Sequence, residues 1–352
     1  MIISFLLPCR TSFPSGGFKI IFEYANRLAE IGYDVNIVMP ATLYTLKNKL
    51  AGFVRYPYYK LSGKYTPNNW FKLNEKIKCF YVWNLKEKRV PKSDIFVASS
   101  VETAYYLNSY KRSSKKFYFI QDFEVWDMTE KQVMNSYTFP LKKITISPWL
   151  LEKIREAGSD AVLIPNGFDF NYFHLDNPIE SRNKLSILMM YHKDERKRCS
   201  DSIAALKIVK EKYPDLKISM FGVPECPSNL PFDVDYHQKP PKNEHNDLYN
   251  NASIFIAASK AEGMALPPAE AMQCGCALCC TDIGGFALYA KDNETALLSP
   301  VYDVEKLSSN IIKCIEDNEL RIRIAKEGNN YVKQFTWDSA FSKFKDVLEG
   351  SL

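Results

Sequence analysis

The sequence has few histidines and no long hydrophobic segment. Its four histidines are isolated from one another, and no stretch approaches the roughly 20 consecutive apolar residues that span a bilayer. The apolar opening MIISFLLP lacks a basic flank and a small-residue cleavage site, so we interpret it as a first β-strand rather than a targeting signal. Low-complexity segments and repeats are also absent, which argues against disordered and solenoid proteins.

The nine cysteines give no disulfide pattern. Their odd number, spread over a long chain, is typical of reduced thiols in the cytoplasm. One cluster contains Cys274, Cys276, Cys279 and Cys280, and its spacing differs from the paired C-x2-C pattern of closed zinc sites. We therefore interpret these four as small core residues, with zinc binding as the alternative, and we expect neither a metal nor a cofactor.

The composition indicates two α/β domains. The chain has 352 residues, of which 46% are apolar and 25% charged, enough for two buried cores. Short apolar runs alternate with helical patterns, and this alternation predicts parallel βαβ units. It starts again at Leu185–Met190, after a polar segment at 174–184 where we predict the linker between the domains.

The first third of the chain is strongly basic. Residues 1–120 carry 19 Lys and Arg against 7 Asp and Glu, a net charge of +12, whereas the remainder carries −7. This asymmetry predicts an anionic partner for the first domain. The candidates are a membrane surface, a phosphorylated lipid acceptor and nucleic acid. The alternation of strands and helices breaks at residues 41–91, and we predict a surface insertion there. Its basic and aromatic residues include Tyr44, Lys47, Lys49, Phe53, Arg55, Tyr56, Tyr58, Tyr59, Lys60, Lys64, Trp70, Phe71 and Lys72.

The segment EGMALPPAE, from Glu262 to Glu270, is the most informative part of the sequence. It follows the apolar run Ser253–Ala258, typical of a buried parallel strand, and its two prolines suit the first turn of a helix. At such a helix N-terminus, outward N–H groups can bind a diphosphate without a metal. The donors would be Gly263, Met264, Ala265 and Leu266, and the two carboxylates can hold sugar hydroxyls on either side.

This motif carries a family resemblance. The run EGMALPPAEAMQCGCALCCTDIGG resembles the E-x7-E region of retaining glycosyltransferases of family 4. The resemblance implies the GT-B architecture, in which two Rossmann-like domains with parallel sheets face a central cleft. It also implies a last helix that crosses back to the first domain, and FTWDSAFSKF is similar to that helix. We therefore predict an acceptor-binding domain at 1–175, completed by 337–352, and a nucleotide-sugar-binding domain at 176–336.

Further residues follow from the same resemblance. The segment PSGG stands where the family has a glycine-rich loop facing the donor diphosphate, so Gly16 and Gly17 are expected there, with a plain turn as the alternative. The run ILMMYHKDERKRCSD resembles the start of the second domain and places Lys197 at the lysine that neutralises the diphosphate. The chain departs from the family pattern at His192, which replaces an arginine, and at Arg198, which replaces a glycine. Either side chain, or Arg196, is a candidate to supply the missing positive donor.

Polar residues also follow a strand of the first domain. Many relatives have a histidine where this chain has Gln121 and Asp122. Asp122 and Glu124 are candidates to contact substrate hydroxyls, with capping of the next segment as the alternative. The block IPNGFD, which contains Asn166 and Gly167, matches a family block that we interpret as architectural.

Together these features imply retaining transfer of a hexosyl or deoxyhexosyl group from a nucleotide-diphosphate sugar to a glycan or lipid-linked acceptor in cell-surface polysaccharide biosynthesis. The predicted catalytic residues are Glu262, Lys197 and Asp122. We expect a cytoplasmic protein, with peripheral attachment to the inner face of the membrane as an option. Two alternatives stay open. One is an altered relative that binds sugar nucleotides without transfer, and the other is a basic domain that binds nucleic acid, although no nucleic-acid motif accompanies the charge.

Overall fold

The computed structural model describes residues 1–43, 49–126 and 128–350, without the side chains of residues 49–51. Tyr44, Lys47 and the side chain of Lys49, all part of the predicted basic insertion, lie outside the described residues.

The chain forms two compact units. The first contains Met1–Asn166 and Asp338–Leu352, and the second contains Gly167–Trp337. The first division therefore lies after Asn166, upstream of the boundary at 175 that we predicted from the sequence.

Within its described residues, the first unit has a sheet of seven parallel strands in the order β3-β2-β1-β4-β5-β6-β7. All four residues of β4 are buried, as expected for a parallel strand covered on both faces. Burial on both faces explains why its sequence is a continuous apolar run. The strands are β1 (Ile2–Leu6), β2 (Asp34–Pro40), β3 (Lys78–Val82), β4 (Ile95–Ala98), β5 (Lys115–Ile120), β6 (Lys142–Thr145) and β7 (Val162–Leu163). The helices between them are α1 (Gly16–Glu30), α2 (Lys49–Ser62), α3 (Val101–Asn108), α4 (Glu130–Tyr137) and α5 (Pro148–Glu156).

The second unit repeats this design with six parallel strands in the order β10-β9-β8-β11-β12-β13. Its strands are β8 (Ser186–Tyr191), β9 (Lys217–Gly222), β10 (Asp235–Gln238), β11 (Ile254–Ala257), β12 (Ala277–Thr281) and β13 (Ala296–Ser299). Its helices are α6 (Cys199–Lys212), α7 (Lys242–Asn251), α8 (Leu266–Gln273), α9 (Val304–Glu316) and α10 (Asn318–Val332). Two parallel sheets interleaved with helices confirm the α/β class predicted from the sequence.

The last helix, α11 (Trp337–Glu349), returns to the first unit. Phe344 packs there against three aromatic rings, with its ring centroid 4.1 Å from that of Tyr24, 5.7 Å from that of Phe119 and 6.4 Å from that of Phe5. The Lys115 ammonium donates to the carbonyls of the final turn, where the helix dipole favours a cation. The predicted return of this helix is confirmed.

The surface insertion predicted at 41–91 is wrong in part. This region contains α2 and also β3, which is the edge strand of the first sheet. The helical pattern was hidden by Pro57, which lies inside α2. The strand was hidden because only the last two of its five residues are buried, so it lacks a strong apolar run.

The linker predicted at 174–184 is also wrong, because this segment packs against the second unit. The backbone N–H groups of His174 and Asp176 donate to Asn246 and Asn250 of α7. Arg182 is buried and donates to the backbone carbonyls of Tyr249, Ala252 and Cys274. The polar residues of this segment make these hydrogen bonds. In the sequence alone, the same polar composition resembles that of a solvated linker.

The two points at which the chain passes between the units lie side by side. Phe168 N–H donates to the carbonyl of Phe335 at 2.8 Å, and Phe168 pairs with Thr336 in an isolated parallel bridge. A Cβ atom on Gly167 would lie 2.4 Å from the Cα atom of Trp337, so this approach requires glycine. The architectural interpretation of Gly167 agrees with this contact.

The cysteine cluster is buried. Cys274 and Cys276 follow α8, Cys279 and Cys280 lie in β12, and the Cys279 Sγ atom is 3.8 Å from that of Cys314. Burial raises the pKa of Cys276 to about 11, so its thiol is protonated at neutral pH. Across the described part of the chain, no group of three or more His, Cys, Asp or Glu residues is placed to hold a metal ion. Nor does any described helix have the length and apolar character needed to cross a bilayer.

Candidate functional site

The strand order of the second sheet creates a crevice at its carboxyl edge. β8 and β11 are neighbours, but the chain leaves β8 toward β9 on one side and leaves β11 toward β12 on the other. In open α/β sheets ligands bind at such a reversal point, outside the carboxyl ends of the strands. The loop after β8 carries Lys197, and the loop after β11 carries Glu262.

Lys197 and Glu262 form an ion pair at this point. The Lys197 Nζ atom lies 2.6 Å from Glu262 Oε1 and 2.7 Å from Oε2, although 65 residues separate the two in sequence. The hydroxyl of Ser259 donates to Glu262 Oε1 at 2.8 Å. The Glu262 side chain is 11% exposed and the Lys197 side chain 20% exposed, so each charge is largely removed from water and compensated by the other.

Gly285, near the end of the resembling motif, packs directly on Glu262. A Cβ atom on Gly285 would lie 2.4 Å from the Glu262 Cβ atom and 2.5 Å from its carbonyl oxygen. Such distances are shorter than real side chains tolerate. Glycine at this position therefore fixes the backbone that presents the Glu262 carboxylate.

The turn before α8 presents two backbone donors. The N–H groups of Met264 and Leu266 donate to no other described residue, whereas Ala265 N–H donates to the Gly285 carbonyl at 3.4 Å. Pro267 and Pro268 occupy the first turn of α8 and bring no N–H group. Of the four predicted amides, those of Met264 and Leu266 are thus best placed to donate to a bound anion at the positive end of the helix dipole.

Glu270 lies within α8 and is buried. The hydroxyl of Tyr249, on α7, donates to Glu270 Oε2 at 3.2 Å. Burial, and then the Glu270 charge, raise the pKa of Tyr249 well above its ordinary value, so this hydroxyl remains a donor. Tyr249 is itself buried and stacks on the ring of His245, with 5.0 Å between the centroids. Nothing in the sequence around Tyr249 indicates this contact.

His192 is held as a neutral donor. Its Nδ1 atom accepts the backbone N–H of Asp194 at 2.9 Å, so the ring proton resides on Nε2. Burial, followed by the charge of Lys197, lowers the pKa of His192 below its ordinary value. At the family's arginine position this chain therefore offers an uncharged imidazole N–H.

Arg198 keeps the backbone conformation expected of the glycine that it replaces. Its φ of 46° and ψ of 40° are in the left-handed region, which glycine adopts without strain. Its guanidinium is bound by Asp201 at 2.6 and 2.8 Å and lies over the Tyr302 ring. Arg196 is bound in the same way by Asp194. Both arginines thus have carboxylate partners of their own, which leaves Lys197 as the cation bound to Glu262.

The second unit is similar to a known enzyme family. Residues 175–331 match glycosyl transferases group 1. Among curated relatives, the phosphatidyl-myo-inositol mannosyltransferase of Mycolicibacterium smegmatis is 26% identical over 212 residues, which are 57% of this chain and 54% of that protein. The chain thus spans about half the length of the curated relatives that it matches.

Solved glycosyltransferase structures share the whole fold. Sucrose-phosphate synthase of Thermosynechococcus elongatus superposes with a TM-score of 0.74 at 15% identity, covering 99% of this chain and 98% of that one. HepE of Anabaena, solved with UDP-glucose, gives 0.74 at 17% identity, with coverage of 99% and 100%. At these identities the likeness establishes the fold, which is the GT-B type with two Rossmann-like domains, as predicted.

In the first unit, Gly16 and Gly17 are the first residues of α1 rather than part of the loop before it. A Cβ atom on Gly17 would meet its nearest neighbours, atoms of the Gln121 side chain, at 3.7 Å, an ordinary contact distance. The Gln121 amide donates to the Gly17 carbonyl at 3.2 Å. The fold of the first unit thus has room for a side chain at Gly17, whereas Gly167 and Gly285 of the second unit have none.

The acidic residues after β5 have local partners. Glu124 Oε2 accepts the backbone N–H of Val101 at 2.8 Å and so caps α3, which precedes it in the chain, rather than the next segment as in the predicted alternative. Asp122 is half-buried and its Oδ1 atom accepts the N–H of Phe123 at 2.8 Å. Asp122, Gly16 and Gly17 belong to the first unit, whereas the other predicted glycosyltransferase site residues belong to the second.

Proposed function

We propose that this chain is a retaining glycosyltransferase. It transfers a hexosyl or deoxyhexosyl group from a nucleotide-diphosphate sugar to a hydroxyl of a glycan or lipid-linked acceptor in cell-surface polysaccharide biosynthesis. The observation that carries the proposal is the Lys197–Glu262 pair at the reversal point of the second sheet, beside two unengaged amides. The match to glycosyl transferases group 1 over the same residues supports it.

The charges of the site suit this reaction. Breaking the anomeric C–O bond places negative charge on the diphosphate and positive character on the sugar. Lys197, the amides of Met264 and Leu266, and the neutral Nε2–H of His192 would stabilise the former without a metal. We also propose Gly16, Gly17, Gly263, Ala265 and Arg198 as donor-binding residues.

The carboxylates have separate roles. Glu262 would hold the sugar hydroxyls and Glu270 the ribose, each as a positioning contact, while Asp122 would contact the reacting hydroxyls. The sequence offers no residue that stands out as a covalent nucleophile. We therefore favour attack on the same face of the sugar, assisted by the departing phosphate, over double displacement.

A membrane-bound acceptor fits the surface of the first unit. One side of α2 exposes four large apolar residues, of which Leu61 is 89% exposed; the others are Phe53, Val54 and Tyr58. An exposed apolar helix face flanked by lysine and arginine is typical of peripheral binding to anionic lipid. The relative named phosphatidyl-myo-inositol mannosyltransferase acts, by its name, on a lipid. We propose a cytoplasmic protein attached to the inner face of the membrane, with no nucleic-acid partner.

The first experiment measures thermal stability with UDP-, GDP-, ADP- and dTDP-sugars. A bound donor stabilises the native state by mass action, so one nucleotide series should raise the Tm of the wild type and fail to raise that of Glu270→Ala. Glu225→Gln, an exposed change outside any helix or strand, is the matched control. If no donor changes the Tm, the donor site that we propose does not exist in this chain.

Turnover then separates an enzyme from a binding protein. Glu262→Gln keeps a partner for Ser259 but leaves Lys197 without its counter-charge, so we expect a lower Tm. In the folded variant, we expect donor hydrolysis or transfer to fall by about 100-fold. Donor binding by the wild type without any hydrolysis or transfer would favour the non-catalytic relative instead.

A further inference from the structure

An aromatic cluster lies at the carboxyl edge of the first sheet. It surrounds Tyr81 of β3, whose ring centroid is 5.4 Å from that of Tyr65 and 5.9 Å from those of Tyr56 and Tyr59. The Trp83 ring extends it, 5.7 Å from Tyr56. Tyr81 is buried, whereas the other four rings are partly exposed to solvent. We call these five residues the Tyr81 cluster.

Three cations contact or flank the Tyr81 cluster. The Arg10 guanidinium, from the loop after β1, lies 3.8 Å from the centroid of the Tyr59 ring and donates to the Tyr59 hydroxyl at 2.5 Å. The Lys60 ammonium donates to the Tyr56 hydroxyl at 2.9 Å. Arg55 precedes Tyr56 on α2. Burial raises the pKa of Tyr81, and the positive charges of Arg10 and Arg55 oppose that rise.

These cations have no acidic partner among the residues that the structure describes. Among the described residues, none of Arg10, Arg55 and Lys60 forms an ion pair with a carboxylate. The sequence contains no Asp or Glu between Asp34 and Glu75. By contrast, Arg196 and Arg198 of the second unit each have a carboxylate of their own. The positive charge at the Tyr81 cluster is therefore available to an external anion.

We infer that the Tyr81 cluster is a binding site for an anionic saccharide, in which a sugar ring lies on the exposed aromatic faces and its phosphate or carboxylate group pairs with Arg10 and Arg55. Arginine suits this role because its planar guanidinium both stacks on aromatic rings and binds phosphate or carboxylate with two parallel hydrogen bonds. Partly exposed aromatic rings supply apolar faces beside these polar groups, as in most small-molecule sites. The carboxyl edge of a parallel sheet is also where ligands bind in this class of fold.

This inference deepens the proposed function and rests on it, because the saccharide would be the glycosyl acceptor. The proposed function left open whether the acceptor is neutral or charged. The Tyr81 cluster assigns it a negative charge close to the sugar that enters the site, carried by phosphate or by a uronic-acid carboxylate.

The test is calorimetric titration of the whole chain with four probes: glucose 6-phosphate, glucuronate, methyl α-glucoside and inorganic phosphate. We expect at least one of the two charged sugars to bind about tenfold more tightly than both the neutral sugar and inorganic phosphate. Arg10→Gln and Arg55→Gln should each weaken that binding by about tenfold or more. Arg89→Gln removes the same charge from an exposed site in the first unit and should leave the affinity unchanged.

Two results would overturn the inference. One is equal affinity for a charged sugar and for inorganic phosphate, which would indicate a simple anion site. The other is a loss of binding to phosphatidylglycerol vesicles in Arg10→Gln and Arg55→Gln that charged sugars do not compete for, which would assign these arginines to a lipid surface. Donor-induced thermal shifts measured on the same variants keep the two proposals separate. An intact donor shift without charged-sugar binding rejects this site alone, and charged-sugar binding without any donor shift rejects the proposed function alone.

Discussion

Single glycines in this chain serve different purposes, and the space around each one distinguishes them. A Cβ atom on Gly285 would overlap the backbone of Glu262, so the fold itself requires glycine there. A Cβ atom on Gly17 would meet only the Gln121 side chain at an ordinary distance. A requirement for glycine at position 17 would therefore have to come from a ligand.

We predict opposite results for the two alanine variants. Gly285→Ala should reduce the free energy of unfolding by about 1–3 kcal/mol, because the Glu262 backbone must move. Gly17→Ala should change it by less than about 0.5 kcal/mol while raising the KM for the donor. The measurements are chemical unfolding and kinetics with the nucleotide sugar that gives the largest thermal shift. A normal KM in Gly17→Ala would show that the donor does not approach this helix start closely.

Residue contacts differ in how far the sequence predicts them. Glu262, Lys197 and Glu270 were predicted as site residues from segments that resemble family 4 glycosyltransferases, but the sequence did not predict that Lys197 and Glu262 form an ion pair. The hydroxyls of Ser259 and Tyr249 donate to the carboxylates of Glu262 and Glu270. These two residues were not predicted, because their contacts depend on side-chain packing within the second unit. The neutral state of His192 likewise depends on burial and on the nearby charge of Lys197, which only the folded loop provides.

At the scale of elements, α11 is the piece of chain that joins the end of the sequence to the core of the first unit. Phe344 fills the space between α1, β1 and β5 through its ring contacts with Tyr24, Phe5 and Phe119. This helix is therefore part of the core of the first unit, although the residues that precede it in sequence belong to the second unit.

We predict that Phe344→Ala destabilises the first unit by about 3–5 kcal/mol, because it leaves a cavity in a buried aromatic cluster. Hydrogen exchange should show faster exchange in β1, β5 and α1, with α8 and β11 unchanged, since each unit has its own core. Lys343→Ala, on the exposed side of the same helix, should leave all five elements protected. Uniform loss of protection in both units would mean that the two cores unfold together.

Elements with a clear pattern of apolar residues were predicted well, and elements without such a pattern were missed. Strands β8 and β11 lie within one residue, at each end, of the apolar runs Leu185–Met190 and Ser253–Ala258 that predicted them. The helix α2 was missed because Pro57 interrupts its pattern, and β3 because an edge strand with three partly or fully exposed residues of five has no continuous apolar run. Tertiary contacts with Thr42 and Trp83 allow this region to fold in spite of its weak local signal.

At the scale of the whole molecule, charge is divided unequally along the chain. The excess of positive charge in residues 1–120 coincides with the exposed apolar side of α2, so attraction to anionic lipid and apolar insertion would act at the same place. The sequence alone indicated the charge, but not the helix that presents the apolar side chains beside it.

We predict salt-sensitive binding to phosphatidylglycerol vesicles and none to duplex DNA. The double variant Val54→Gln with Leu61→Gln should bind vesicles at least about tenfold more weakly, because it removes two large apolar side chains from the exposed side of α2. Ile31→Gln, an equivalent change at an exposed residue of the same unit, is the control. Binding to DNA with the same salt dependence would instead favour the nucleic-acid alternative.

Under the proposed function, the ion pair between Lys197 and Glu262 would make donor binding an exchange of partners. While the site is empty, the two charges cancel, so the crevice has little attraction for stray anions such as free phosphate. A diphosphate that recruits Lys197 releases Glu262 at the same moment, and the freed carboxylate is then ready for the sugar hydroxyls. Only a molecule that carries both groups would satisfy both residues, so under the proposed function this pair would select an intact donor over either of its fragments.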